Sequence, residues 1–271
     1  MAFDPSSMAS GVIDCGKLFN LPVLCINFDP TLWGEAAGCA TDWDTSPPSI
    51  AAGGSTDPNP DSVRDSARIA TLITAIGRVK GAMPQHPLAC AIAGPATIAK
   101  FLELDHPASR MDQFTVGELI SEYVNVLCEN DIDNIVIVED PQISDDALAP
   151  WVEGKHYARI AKLANHYVKQ TTLLCPQASL NEEQTREFDS LTYVVAQADT
   201  IINADLGHAM KGVSLEGFGT GDVVLPPGLE ALENGSYFLT TPTDLDPKSD
   251  FTDIQKDIAT IASFLEGQGL P

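Results

Sequence analysis

The run of residues 134–141 constrains the fold of this chain more than any other feature, because it reads Asn-Ile-Val-Ile-Val-Glu-Asp-Pro. Its consecutive aliphatic β-formers show no polar alternation, which is typical of a strand covered on both faces in a parallel sheet. Glu139 and Asp140 then fall at the carboxyl end of that strand, where α/β folds hold their binding and catalytic groups. Capping of the next helix is the alternative role for either carboxylate.

Apolar runs alternate with helix-like patterns along most of the 271 residues. Strands are predicted at residues 23–28, 40–43, 88–93, 134–138, 171–175, 200–203, 212–215 and 237–239. Helices are predicted at residues 31–38, 61–79, 96–104, 115–130, 145–169, 182–197, 208–211 and 250–266, with a long loop rich in Pro, Gly and Ser at 47–60. This alternation predicts an α/β protein, a (β/α)8 TIM barrel of one domain (residues 1–271), with residues 1–22 as an N-terminal extension. A doubly wound open sheet is the alternative architecture.

The acidic composition narrows the classes of partner. The chain has 38 acidic and 15 basic residues and a formal net charge of −23, which disfavours nucleic acid and anionic membrane surfaces as partners. No apolar stretch approaches the ~20 residues that cross a bilayer, and residues 1–7 lack the basic and apolar regions of a signal peptide. We therefore expect a soluble cytoplasmic protein that acts on a small molecule.

Several familiar signatures are missing from the sequence. The six cysteines form no Cys-x-x-Cys pair, so most are expected to be reduced thiols in the core. No Gly-x-Gly-x-x-Gly follows an early strand and no P-loop occurs, so dinucleotide and nucleotide binding lose their usual support. Cys175 differs from the other cysteines because it falls at a predicted strand end, where it is the candidate metal ligand.

Polar residues just after the predicted strands form the candidate site. Carboxylates crowded at one mouth raise one another's pKa and leave one group poised as an acid, with a histidine as proton shuttle. The barrel is predicted to gather at one mouth, beside Cys175, the candidate catalytic residues Glu139, Asp140, Asp205, His208 and Glu216. The candidate substrate-binding residues are Gly94, Pro95, Thr241 and Asp244. The glycine-rich loop 216–222 is predicted to lie close to a flat substrate, to offer backbone amides to an anion, or to be a simple turn.

A series of short motifs resembles one known superfamily. In chain order the motifs are Ala91-Ile-Ala-Gly-Pro-Ala-Thr-Ile-Ala99, residues 134–141, the helix starting at Asp145, Leu173-Leu-Cys175 and residues 237–246. This order, over residues 23–266, resembles the uroporphyrinogen decarboxylase superfamily, which includes corrinoid-linked methyltransferases and the catalytic domain of cobalamin-independent methionine synthase. The resemblance implies a TIM barrel enzyme that transfers a methyl group from a small methylated substrate to a corrinoid, folate or thiol acceptor, with a corrinoid protein as a further partner.

Two departures from the superfamily limit what the resemblance implies. Its porphyrinogen decarboxylases bind substrate carboxylates with an N-terminal arginine-rich signature, whereas this chain has no arginine before Arg64. A decarboxylase (lyase) acting on a carboxylated tetrapyrrole or a small acid is therefore the second alternative. Its methyltransferases hold zinc with a His-x-Cys motif at the fifth strand and another cysteine near the eighth. Here Leu173 replaces the histidine, and Thr243 stands near the final position.

The incomplete zinc motif leaves the chemistry open. Cys175 is the surviving ligand of the motif, and Asp205, His208 and Glu139 are further candidate ligands. We expect weak or absent zinc at the usual site, because an isobutyl group cannot ligate a metal and a hydroxyl is a poorer ligand than a thiolate. A non-catalytic relative that binds a ligand or a partner after losing the zinc site is the third alternative.

Overall fold

The structure is a computed structural model, and it describes residues 4–45, 48–51, 58–105, 108–175, 182–196, 198–229, 237–240 and 249–267. The chain divides into two compact units, Met1–Leu173 and Leu174–Pro271. Both units consist of helices and parallel strands. The α/β class predicted from the sequence is therefore confirmed.

The first unit begins with helix α1 (Pro5–Phe19), strand β1 (Leu24–Ile26), helix α2 (Thr31–Ala36) and the short strands β2 (Thr41–Asp42) and β3 (Ser49–Ile50). A 3-10 helix (Pro60–Val63) leads to helix α3 (Ala67–Ala82), strand β4 (Leu88–Ala93), helix α4 (Pro95–Phe101) and helix α5 (Arg110–Glu129). Strand β5 (Asn134–Val138), helices α6 (Asp145–Glu153) and α7 (His156–His166), and strand β6 (Gln170–Leu174) follow. Leu174, the last residue of β6, belongs to the second unit.

The sheet of the first unit runs in the order β1, β4, β5, β6, and its pairs β1–β4 and β4–β5 are parallel. All six residues of β4 are buried, and so are the three central residues of β5. Because these strands are almost entirely apolar, both of their faces can be covered, as a parallel sheet requires. The strands predicted at residues 23–28, 88–93, 134–138 and 171–175 are confirmed.

Hydrogen bonds hold the ends of β4 and β5 side by side. The carboxylate of Asp133 accepts from the backbone N of Leu88 at 2.8 Å and from Lys80 Nζ at 2.6 Å, which ties the two strand starts together. At the other end, the backbone N of Gly94 donates to Val138 O at 2.8 Å. The loops that follow the two strands therefore leave the sheet next to each other.

The second unit contains helix α8 (Glu182–Glu187), strand β7 (Tyr193–Ala196), helix α9 (Ala198–Asn203), strand β8 (Met210–Ser214), strand β9 (Tyr237–Thr240) and helix α10 (Phe251–Gly267). Strand β8 pairs in parallel with β7 on one side and with β9 on the other. The strands predicted at residues 212–215 and 237–239 and the helix predicted at 250–266 are confirmed.

Some predicted elements are wrong. Residues 40–43 contribute to an antiparallel pair, β2 with β3, and not to the parallel sheet. Residues 200–203 lie in α9, whereas β7 lies inside the stretch 182–197 that the pattern predicts to be helical. Residues 208–211 contain the start of β8 instead of a helix. Short apolar runs such as 193–196 and 200–203 fit either a strand or a helix. Residues 193–196 are the strand, β7, because they pair with β8.

Closure of the strands into a barrel stays a prediction. Besides the β2–β3 pair, the described residues contain seven strands, four in the first unit and three in the second, whereas a (β/α)8 barrel has eight. The single-domain assignment and the N-terminal extension 1–22 also stay predictions, and α1 occupies most of that extension. None of the helices in the described ranges combines the length and the apolar character that a bilayer crossing demands.

Val168 is a strained position that leads to a stability prediction. Its φ is 59°, in the left-handed region that β-branched residues avoid, and 91% of the residue is exposed. Val168→Gly should raise the free energy of unfolding by about 0.5–1 kcal/mol, because the strain relieved exceeds the entropy that glycine adds to the unfolded chain. Urea titration measures the change.

Val224→Gly is the matched control for this substitution. Val224 is 57% exposed and does not adopt a positive φ, so glycine there should lower stability. Loss of stability in both variants would contradict the strain assigned to Val168.

Candidate active site at the carboxyl ends of the strands

Four of the predicted site residues lie together where β4 and β5 end, in the first unit: Gly94, Pro95, Glu139 and Asp140. Gly94 and Pro95 follow β4 directly, and Glu139 follows β5 directly. The parallel register pairs Ala93 with Val138, so the two loops start side by side. A Cβ atom built on Gly94 would lie 2.2 Å from Glu139 Oε1, so glycine is required for the carboxylate to occupy its place.

The Glu139 carboxylate receives hydrogen bonds from two helices. The backbone N atoms of Ala96 and Thr97, in the first turn of α4, donate to it at 3.3 and 2.9 Å. Thr97 Oγ1 donates at 2.6 Å, and the hydroxyl of Tyr157, on α7, donates at 2.5 Å. The carboxylate therefore caps the amino end of α4, where the helix dipole favours an anion, and it holds α7 to the same place.

Burial and hydrogen bonding act on the pKa of Glu139 in opposite directions. Desolvation raises the pKa and is the larger effect, whereas the bonds from Thr97, Tyr157 and Ala96 lower it, so the pKa lies above its ordinary value. Only 3% of Glu139 is exposed. So small an exposure fits a residue that positions the surrounding loops, and direct contact with a substrate stays a prediction.

Asp140 is the more accessible carboxylate beside Glu139. Lys100 Nζ, on α4, lies 2.5 Å from Asp140 Oδ2, and the two side chains are 44% and 23% exposed. The backbone N of Asp140 donates to Thr97 Oγ1 at 2.8 Å, which links the ion pair to the network around Glu139. The mouth of β4 and β5 thus presents one cation and one anion to the solvent.

An ion-pair cluster after β1 belongs to the same edge of the sheet, and the sequence patterns did not predict it. Arg68, on α3, donates to Asp29 Oδ2 at 2.5 Å and to Glu35 Oε2 at 3.2 Å. The other oxygen of Asp29 accepts from the backbone N of Thr31 at 2.9 Å. Trp43 covers the guanidinium, with 4.9 Å between Arg68 Cζ and the ring centroid. Asp29 directly after an apolar strand is the sequence signal for this cluster.

Cys175 lies at the carboxyl end of β6, as predicted, in the second unit. It is 4% exposed, its backbone N donates to Val195 O at 3.0 Å, and its thiol donates to the same oxygen at 3.3 Å. Within the described ranges, no three His, Cys, Asp or Glu side chains form a group that could hold a metal ion. The donors described here therefore do not fit the zinc site that the resemblance implies.

Thr241 and Asp244, two of the predicted substrate-binding residues, lie outside the described residues.

The predicted placement of Asp205 and His208 after a strand is wrong. The apolar run before them is helix α9, so they lie in the turn that enters the amino end of β8. Asp205 Oδ1 accepts from the backbone N of Gly207 at 3.1 Å, and the backbone N of His208 donates to Asp189 Oδ1 at 2.8 Å. These bonds shape the turn. Glu216 follows the opposite end of β8, so the length of the strand separates it from both residues.

The glycine-rich loop 216–222 after β8 is organised by a carboxylate of the chain itself. Asp257, on α10, is 0% exposed and accepts from the backbone N atoms of Gly219, Gly221 and Val223 at 2.7, 3.1 and 3.0 Å. The three glycines of the loop all have positive φ, which is why side chains are absent there. These amides bind a carboxylate of the chain itself, so binding of a substrate or an external anion by the loop stays a prediction.

Comparison with known proteins adds a likeness in fold. No protein-family model matches the chain, and no curated protein sequence matches it. Among solved structures, a methyltransferase from Methanosarcina mazei is similar with a TM-score of 0.74, over 97% of this chain and 86% of that chain, at 17% sequence identity. At this identity the likeness establishes the fold alone, and it agrees with the α/β class of both units.

Glu139→Ala tests whether the buried carboxylate holds the loops in place. The substitution leaves the backbone N atoms of Ala96 and Thr97 and the hydroxyl of Tyr157 without their acceptor in a buried place. We expect the free energy of unfolding to fall by about 2–4 kcal/mol, measured by urea titration. Asp140→Ala removes an exposed ion pair and should cost less than about 1 kcal/mol, so equal losses would argue against the role of Glu139.

The raised pKa of Glu139 also predicts how this loss depends on pH. The pKa of Glu139 is higher in the folded protein than in the unfolded chain, so its protonated form stabilises the fold. This stabilisation is complete below the unfolded-state pKa and is lost as the pH rises through the folded-state pKa. The stability difference between the unsubstituted protein and Glu139→Ala should therefore be largest in acid and shrink toward neutral pH. A difference that grows with pH would contradict this direction.

Asp257 should control hydrogen exchange in the loop 216–222. Asp257→Asn replaces one acceptor oxygen by a donor, so the amides of Gly219, Gly221 and Val223 cannot all keep their partner. We expect their exchange to accelerate at least about tenfold, which corresponds to ~1.4 kcal/mol of local stability, measured by NMR. Asp222→Asn, whose side chain is 87% exposed, serves as the control and should leave the rates unchanged.

Proposed function

We propose that this protein is a methyltransferase that moves a methyl group from a small methylated compound to a corrinoid, folate or thiol acceptor. The observation that carries the proposal is the likeness in fold, over 97% of the chain, to the methyltransferase from Methanosarcina mazei. The order of motifs from residues 91–99 to 237–246 supports the same class by resemblance. A closed (β/α)8 barrel with one active mouth is part of the proposal.

Methyl transfer requires a positioned donor and a nucleophilic acceptor. The donor atom keeps the bonding electron pair while the methyl carbon bonds to a lone pair of the acceptor. Lys100, 44% exposed, is paired with Asp140 at this mouth, and an approaching thiolate would take the place of Asp140 beside its ammonium group. Glu139 holds the loops that carry both residues. Cys175 and Glu216, in the second unit, stay proposed site residues.

The ion pairs of the arginines favour methyl transfer over the lyase alternative. Three of the six arginines already have carboxylate partners, which are Glu122 and Glu129 for Arg64, Asp29 and Glu35 for Arg68, and Glu118 for Arg159. A substrate with several carboxylates would have to compete with these partners and approach a chain of net charge −23.

A binding protein without catalytic activity is the remaining alternative. It is favoured by Cys175, whose thiol is 4% exposed and bonded to Val195 O, as expected for a packed core cysteine. A methyl-transfer assay separates this alternative from the proposed enzyme.

In the first assay methylcobalamin stands in for the small methylated donor and mercaptoethanol is the thiol acceptor, and cleavage of the cobalt–carbon bond is followed by absorbance. We expect turnover that falls roughly tenfold or more in Lys100→Gln, because the thiolate loses its nearby cation. Lys162→Gln, on the exposed face of α7, is the matched control and should keep full activity. No transfer with this donor, or with small methylated donors and reduced cobalamin, would favour the binding protein.

Metal content tests the part of the proposal that concerns Cys175. We expect no stoichiometric zinc in protein prepared without chelators, and no change in metal content in Cys175→Ala, because the described donors do not form a zinc site. Mass spectrometry of the native protein measures both. One equivalent of zinc that is lost in Cys175→Ala would contradict this expectation.

A further inference from the structure

The cluster after β1, defined as Asp29, Glu35, Arg68 and Trp43, has the character of a binding surface. It lies at the same edge of the first unit's sheet as Glu139, because β1, β4 and β5 are neighbouring parallel strands. With neighbouring strands ~4.8 Å apart, β1 and β5 lie about 10 Å apart across β4. Ile26, the end of β1, is level through Cys90 with Ile135, so the chain from Asn27 to Asp29 continues alongside the last part of β5. A ligand at the cluster would therefore be within reach of the mouth proposed for methyl transfer.

The charges of the cluster are arranged so that the solvent meets carboxylates. The side chain of Arg68 is 1% exposed, whereas those of Asp29 and Glu35 are 30% and 31% exposed. Two carboxylates and one guanidinium leave a net charge of −1, and the guanidinium is covered. The whole chain, at −23, adds a field that attracts cations to this surface.

Exposed aromatic rings accompany these carboxylates. Trp43 keeps 43% of its surface exposed although one side stacks on Arg68, and Phe28, which directly precedes Asp29, is 41% exposed. Aromatic rings next to carboxylates are the surroundings that bind quaternary and tertiary ammonium groups, through cation–π attraction and charge.

The loop that carries this surface is held firmly. The side-chain N of Asn27 donates to Ala91 O, on β4, at 3.3 Å, and Trp33 Nε1 donates to the same oxygen at 2.9 Å. Thr41, two residues before Trp43, donates to Glu35 Oε2 at 3.2 Å. The exposed groups therefore keep their positions without a ligand, which lowers the entropy cost of binding one.

We propose that this cluster binds the methylated substrate and that the substrate is a small methylated ammonium compound. This inference rests on the methyl-transfer function proposed above and names the class of its donor. In the transfer, the carbon–nitrogen bond breaks, nitrogen keeps the electron pair and leaves as a neutral amine, and the methyl carbon bonds to the thiolate or to the reduced corrinoid.

Binding of choline measured by calorimetry tests the inference without any methyl acceptor. We expect saturable binding that weakens as salt is added, and about tenfold or more weaker binding in Trp43→Ala. Trp43→Phe should retain part of the affinity because a ring remains, and Glu35→Gln should weaken binding several-fold because one exposed carboxylate is lost. Dimethylbutanol, the uncharged carbon isostere of choline, should not bind measurably.

Two control variants separate this surface from general effects of charge and exposed rings. Glu118→Gln removes a somewhat more exposed carboxylate, at 42%, from the ion pair with Arg159, and Phe114→Ala removes a ring that is 57% exposed. Both should bind choline as the unsubstituted protein does. Absence of binding, equal binding of dimethylbutanol, or binding that survives both Trp43→Ala and Glu35→Gln would each overturn the inference.

The outcomes also separate this inference from the function on which it rests. Choline binding at the cluster together with no methyl transfer from methylcobalamin or from any donor would overturn the proposed function and leave a cation-binding site. Methyl transfer without choline binding would overturn the substrate class alone.

Discussion

The buried carboxylate of Glu139 is the interaction on which the mouth of the first unit depends. Its two oxygens collect donors from α4 and α7 while the residue itself ends β5, so three segments converge on one side chain. Gly94 permits this approach because a Cβ would occupy the place of the carboxylate. Thr97 links Glu139 to Asp140, because its hydroxyl donates to the Glu139 carboxylate and accepts from the backbone N of Asp140. The exposed groups of the mouth therefore take their positions from a group that solvent barely reaches.

Strands that are long and uniformly apolar could be predicted from the sequence, whereas short runs could not. Residues 88–93 and 134–138 contain five or six residues that suit burial on both faces, and no helical face explains them. Tyr193–Ala196 and the run 200–203 are each four residues long, with two and three β-branched side chains respectively. Their periodicity is too short to choose between helix and strand. Hydrogen bonding to β8 makes residues 193–196 a strand, and the local sequence pattern does not show that β8 will lie beside them.

The candidate site was predictable where its residues directly follow a strand. Gly94 and Glu139 meet because two parallel strands end together, a consequence of topology that follows once the strands are known. Arg68 is separated by 39 residues from Asp29, its nearest carboxylate partner, and a helix surface gives no sign of which strand end a long side chain will reach. The sequence pattern placed Asp205 at the carboxyl end of a strand because it assigned residues 200–203 to a strand. These residues belong to helix α9, so Asp205 precedes β8 and lies near its amino end.

The hydrogen bonds from loop 216–222 to Asp257 can form only after helix α10 has been synthesised, so they set an order of folding in the second unit. Residues 219, 221 and 223 precede their common acceptor by 38, 36 and 34 residues. A ribosome adds about 5–20 residues per second, so the loop emerges seconds before the helix that completes it. During that interval the glycines are free to sample many conformations, since no side chains restrict them. Glu216, at the start of the loop, thus reaches its final place late in biosynthesis, after α10 has formed and docked.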